Sequence, residues 1–134
     1  MTRLRDIQTC WWPLLLGQAV ALLLVVRTSL RHAPVARVRA RARRLADGQV
    51  LVRPRELVVM MAAIGRRTPL LGRCLVQAIA SEAVLHASGD SARVVIGVAR
   101  TRDGGLAAHA WVRTRDGEVV IGGDGHEAFV ELRR

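Results

Sequence analysis

Residues 73–123 read RCLVQAIASEAVLHASGDSARVVIGVARTRDGGLAAHAWVRTRDGEVVIGG, and this stretch decides the fold. Its first part places apolar residues at Leu75, Ala78, Ile79 and Leu85, the recurrence of a helix with a buried stripe, and Gly89 supplies a stop. The texture then changes. ARVVIGVAR (92–100) is rich in β-branched residues and runs into Asp103-Gly104-Gly105. LAAHAWVRT (106–114) ends before Asp116-Gly117, and EVVIGG (118–123) follows. A helix starting near Arg73, then at least three short strands joined by hairpin turns, predicts an α+β domain. Helices and strands fall in separate runs, so the sheet is antiparallel rather than alternately wound.

Upstream, Pro54-Arg55-Glu56 reads as the first turn of a helix that continues through LVVMMAAIGRR (57–67). Pro69 and Gly72 interrupt it before the next helix begins. Further back, residues 10–26, CWWPLLLGQAVALLLVV, are almost wholly apolar. That run is at the short end of the roughly 17–25 residues a membrane-spanning helix takes, and it contains Pro13, Gly17 and Gln18. It reads first as a helix starting near Pro13 and buried against the rest of the protein or a partner. Two alternatives are a peripheral membrane contact through residues 10–26 and a true span, with Trp11 and Trp12 at one interface and Arg27 and Arg31 anchoring the other side. The arginine-dense segment that follows, RTSLRHAPVARVRARARR (27–44), has no small-residue cleavage site, so a signal peptide fits poorly. A cytoplasmic protein with reduced cysteines is expected. The chain divides into a helical apolar and basic lead-in, residues 1–50, and a second region, residues 51–134, within one compact domain.

At 134 residues the chain holds one domain, large enough for a core without disulfide or metal staples. Hydrophobic residues are 51% and charged residues 24%, which excludes a disordered chain. Cys10 and Cys74 are far apart and lack CxxC spacing, so neither a disulfide framework nor a zinc ribbon is expected. The histidines, at 32, 86, 109 and 126, show no ligand spacing with either cysteine, and no metal or cofactor is expected. The net charge is +10 and every one of the 21 basic residues is arginine. An all-arginine set fits a GC-rich coding sequence and lowers the weight of the count, but attraction to acidic partners follows all the same. The arginines of RVRARARR (37–44) point in several directions on a helix, which suits a solvated helix end, with a docking site for an acidic peptide as the sharper alternative. Nucleic-acid binding is not expected, because aromatics are 3% and no recognised motif accompanies the charge.

Two residues carry chemistry. Cys74 falls in the first turn of its helix, where unpaired backbone N–H groups and the macrodipole favour the nucleophilic thiolate. His109 lies mid-strand in AHAWV. A cysteine nucleophile needs an imidazole to take its proton and return it to the leaving group, and a helix start packed over the sheet can bring the two together. Each has a plainer reading: a buried cysteine is commonly inert packing, and a strand histidine beside Trp111 is commonly a satisfied core residue. Trp111 shares the His109 face and serves core more readily than the site. Gln77, one turn along from Cys74, suits a solvated or capping role as well as a place near the site.

Residues 53–132 resemble the transglutaminase-like leader peptidase of lasso-peptide biosynthesis, in its stand-alone form without a fused leader-recognition domain. The matching blocks are CLVQAIASEAVLHASG, VVIGVAR and AHAWVR followed by DGEVVIGG. The resemblance implies a papain-like or transglutaminase-like fold, with a helical N-terminal region and a Cys-bearing helix packed on an antiparallel sheet. It implies a Cys-His-Asp triad, with Cys74 as nucleophile and His109 as base. It further implies cleavage of the leader from a ribosomally made precursor, presentation of that leader by a separate recognition protein, and hand-over to a macrolactam synthetase. The backbone N–H of Cys74 is the natural first oxyanion donor.

The third triad member comes from a register argument. If Asp116-Gly117 is a two-residue hairpin loop, residue 115 pairs with 118 and, counting outward, His109 stands opposite Asp124. Opposed residues share a face with Cβ atoms about 4.5–5.5 Å apart, close enough for a carboxylate to orient an imidazole. Asp124 is also an ordinary turn residue in GGDGH. Asp116 and Glu118 lie too near the turn to reach His109, and His126 is a weak substitute base. Three functions are compatible with the residues: a cysteine endopeptidase acting on a leader peptide, acyl transfer to an amine by the same triad, and a non-catalytic basic protein bound to membrane or nucleic acid.

Overall fold

The computed structural model describes residues 2–48, 54–122 and 128–132, with side chains from Trp12 onward. Four helices precede the sheet: α1 (Thr2–Leu30), α2 (Val35–Asp47), α3 (Pro54–Arg67) and α4 (Cys74–Ala87). Strands β1 (Arg93–Arg100), β2 (Leu106–Arg113), β3 (Val119–Ile121) and β4 (Val130–Glu131) form one antiparallel sheet in the order β3-β2-β1-β4. The α+β expectation holds, and the boundaries of α3, α4, β1 and β2 fall where the punctuation residues put them.

α4 is the centre of the protein. It packs on α1, α2 and α3 on one side and on β1 and β2 on the other. Every residue from Val76 to Leu85 is buried, so the helix is enclosed all round rather than along a single stripe. Alanines at 78, 80 and 83 keep it slim enough for two layers to close on it. α1 buries Leu15, Ala19, Leu22, Leu23 and Val26 against this assembly. The span Trp12–Leu30 is long and apolar enough to cross a membrane by length and composition alone. α1 begins at Thr2, not near Pro13, which sits inside the helix. A proline suits the first helical turn, but within a long helix it removes one hydrogen bond, and here the helix continues through it to bury Leu15, Ala19 and Leu22.

The arginine run also departs from expectation. Arg39 and Arg43, four apart on α2, turn inward onto Glu82 of α4, which is fully buried. Arg39 grips the carboxylate with Nε at 2.9 Å and Nη2 at 2.7 Å, Arg43 adds Nη2 at 3.2 Å, and the Val94 N–H of β1 donates at 2.5 Å. Arg41 reaches the Ser29 hydroxyl on α1 at 3.1 Å, while Arg37 and Arg44 face solvent. A buried carboxylate is tolerated only when charge and lone pairs are met, and here α2, α4 and β1 converge to meet them.

Both hairpins use the same four letters, TRDG, and the same shape. The Thr101 N–H donates to the Gly105 carbonyl at 2.9 Å and the Thr114 N–H to the Glu118 carbonyl at 2.8 Å, each enclosing a three-residue loop. Gly104 and Gly117 take φ of +86° and +87° at the left-handed position. The two-residue loop expected at Asp116-Gly117 is therefore incorrect. That turn would need positive φ at Asp116 as well, and no non-glycine among the described residues has it. Arg113 pairs with Val119, a bulge follows, and Val112 pairs with Ile121. The bulge restores the pair that the two-residue count gives at Val112, by a different route. In the first hairpin the Asp103 carboxyl is held below its usual range by hydrogen bonds from the Thr101 hydroxyl and the Gly105 N–H.

Candidate active site

The turn between α3 and α4 determines where Cys74 stands. The Leu71 N–H donates to the Thr68 carbonyl at 3.0 Å and the Gly72 N–H to the Pro69 carbonyl at 3.3 Å, folding the chain back on α3. The return is tight. A Cβ on Gly72 would collide with the Gly65 carbonyl, and one on Gly65 with the Gln77 side-chain nitrogen. Gln77 locks the arrangement: its Nε2 donates to the Met61 carbonyl at 2.8 Å and the Leu71 carbonyl at 2.9 Å. It is buried, neither solvated nor a cap, and its Oε1 has no partner among the described residues. Cys74 then opens α4, half-buried, behind Arg73, whose side chain caps nothing. The N-cap residue thus offers the first-turn N–H groups no side-chain acceptor, the arrangement that makes a helix start electropositive.

His109 is placed by β2. Opposite it on β1 stands Gly97, and the missing Cβ is what admits Trp111: a Cβ there would sit 2.8 Å from the Trp111 ring and 2.9 Å from the Phe129 Cβ. The imidazole packs between these two rings, with centroids at 5.8 Å from Trp111 and 5.2 Å from Phe129. Trp111 is 1% exposed, so it fills core and walls the imidazole at once. Nε2 of His109 lies 2.7 Å from the Gly122 carbonyl oxygen. A carbonyl only accepts, so Nε2 carries the hydrogen, and in the neutral ring Nδ1 is left with the lone pair. Gly122 in turn has φ +74°, and a Cβ on it would meet the Ala110 carbonyl at 2.9 Å.

Cys74, Gln77 and His109 line one cleft of about 520 Å³, closed by α3 at Ala62 and Gly65 and by Gly122 beyond β3. A thiol at a helix start and an imidazole with a fixed tautomer and a free basic nitrogen suit nucleophilic attack on a carbonyl. Asp124 and His126 lie outside the described residues, as does the side chain of Cys10. Asp116 and Glu118 line an adjoining cleft instead of this one.

A family model described as the transglutaminase-like superfamily matches residues 14–134. The chain belongs to the transglutaminase-like superfamily. The match takes in α1 from residue 14 and the whole of α2, well before residue 53 where the resembling sequence blocks begin. No curated protein and no solved structure matches the chain. The transglutaminase-like superfamily is typically one of cysteine-based enzymes and includes both cysteine peptidases and transglutaminases. Three residues at this site escaped the sequence reading. Gly97 was legible as a glycine inside a strand, the usual sign of a close approach. Phe129 and the Gly122 carbonyl left no such sign, because one lies past the strands read from the sequence and the other acts through its main chain.

Proposed function

We propose that this protein is a cysteine endopeptidase that removes the leader from a lasso-peptide precursor, working in the cytoplasm with a separate leader-binding protein and a macrolactam synthetase. The observation that carries the reading is the shared cleft of Cys74 and His109, with Nε2 of His109 engaged by the Gly122 carbonyl. In the mechanism, Nδ1 of His109 takes the Cys74 proton and the thiolate attacks the scissile carbonyl. The oxyanion is met by the Cys74 backbone N–H, the imidazolium protonates the leaving amine, and water then releases the leader from the thioester. Asp124, two residues past Gly122, is assigned to stabilise the imidazolium. The +10 charge and the absence of a fused recognition domain in the resembling family support reliance on a separate leader-binding protein.

The test is incubation with a precursor peptide and its leader-binding protein, read by mass spectrometry. A leader ending in a free carboxylate, produced faster with the partner present and by Cys10→Ala but not by Cys74→Ala, is the expected result. A leader carrying an added amine would assign the site to acyl transfer, and undiminished cleavage by Cys74→Ala would remove the mechanism.

A further inference from the structure

The Cys74 cleft does not end at α3. A second cleft of about 540 Å³ continues from it between α3 and β3, and the two share Ala62, Arg66, Val120 and Ile121 as walls. On α3 the far wall runs Arg55, Val59, Ala62, Arg66, positions three or four apart and hence one face of the helix. That face is about 16 Å long at 1.5 Å per residue. The opposite wall is Val120 and Ile121 of β3 together with the β2–β3 turn from Thr114 to Glu118, and Asp90 and Ser91 close the far end. Val59 is 66% exposed and Val120 38% exposed, so both walls of the groove carry an accessible apolar side chain. Arg66, at the junction of the two clefts, offers guanidinium donors to main-chain carbonyls entering the site.

We propose that this groove is the peptide-binding subsite of the Cys74 centre, taking substrate as an extended segment with an apolar side chain seated on Val59 and Val120. The inference rests on the reading of Cys74 and His109 as an acyl-transfer site and names how that site holds its substrate. A groove of this length accepts about five extended residues at roughly 3.3 Å each. The guanidinium groups of Arg55, Arg66 and Arg115 offer donors to main-chain carbonyls whatever the sequence, and the apolar seat supplies selection. Such a groove requires substrate to arrive as an unfolded segment, which a precursor peptide is before cyclisation.

The test uses the full chain carrying Cys10→Ser and peptides bearing a cysteine activated as its 2-pyridyl disulfide. Attack by the Cys74 thiolate releases pyridine-2-thione, so binding is read without any need for hydrolysis. The minimal probe is the activated N-acetylcysteine amide. Two others extend it by Ser-Leu-Thr-Leu-Ser on the amino or the carboxyl side. One of the extended probes should react at least about tenfold faster than the minimal one, the gain of roughly one buried apolar side chain. Val59→Asp should collapse the ratio of extended to minimal rate, Val59→Ile should keep it, and Val130→Asp on the opposite edge strand should leave it unchanged. The proposal is overturned if neither extension accelerates the reaction or if the gain survives Val59→Asp. Failure of the peptidase reading would look different: the gain would persist while no precursor is cleaved.

Discussion

Two polar places on α4, about 12 Å apart along the helix, behave in opposite ways. At Glu82 the carboxylate is fully enclosed and receives donors from Arg39, Arg43 and the Val94 main chain. At the N-terminal end, Cys74 is half-exposed, the N-cap residue Arg73 gives no side-chain cap, and the Gln77 Oε1 has no partner among the described residues. One helix thus carries a buried carboxylate whose charge is met and, at its other end, a thiol at an open helix start. The Glu82 cluster ties α2 and β1 to the core, although the Arg43 Nε and the neighbouring Ser81 hydroxyl have no partner among the described residues. The Cys74 end opens into a cleft with His109, and an unpaired polar atom points to chemistry only where it lines such a cleft.

The contrast breaks most visibly at Arg39. Arg39→Ala leaves a buried carboxylate with Arg43 and one N–H, and should cost about 3 kcal/mol, on the order of 10 °C in Tm. Cleavage per folded molecule should be nearly unchanged, as a thermal melt beside a rate at low temperature would show. A large loss of rate with an unchanged melt would mean that Glu82 belongs to the site. Smaller, and on the rate alone, is Asp124→Asn. When a triad carboxylate alone fixes the histidine tautomer, neutralising it costs roughly 10⁴-fold. Here the Gly122 carbonyl already holds Nε2, so only the charge is lost. Unit charges about 6–8 Å apart attract by roughly 2–3 kcal/mol at an effective dielectric of about 20, so the rate should fall roughly ten- to hundredfold. Asp116→Asn, in the turn, should leave the rate alone. Equal effects of the two changes would withdraw Asp124 from the mechanism. Least of all, Arg41→Ala removes one partly exposed hydrogen bond to Ser29 and should shift stability by less than about 1 kcal/mol.

How much of this contrast the sequence carries depends on the kind of interaction. The bounds of α4, β1 and β2 were readable because apolar periodicity and the punctuation of Gly72, Gly89, Gly104 and Gly117 agree. Cys74 and His109 were readable as a candidate pair because a helix start and a strand centre place their side chains in known directions. The Glu82 knot was not read, although a lone glutamate in an apolar helix and arginines four apart on another are complementary signals. Charge runs are usually solvated, and pairing across elements needs the packing. The Asp116-Gly117 turn misled because Asp-Gly suits two loop lengths, and only the backbone angles of Gly117 and its neighbour distinguish them. The orientation of His109 by a main-chain carbonyl has no residue signature at all.

The central claim is that the open end of α4 does covalent chemistry through Cys74. Acid quenching within the first turnover of a precursor peptide, followed by intact and tryptic mass analysis, tests it directly. The account predicts a leader thioester on the peptide that contains Cys74, absent from Cys74→Ala and from His109→Gln. Cleaved precursor accompanied by an unmodified Cys74, at a rate that Cys74→Ala preserves, would contradict it.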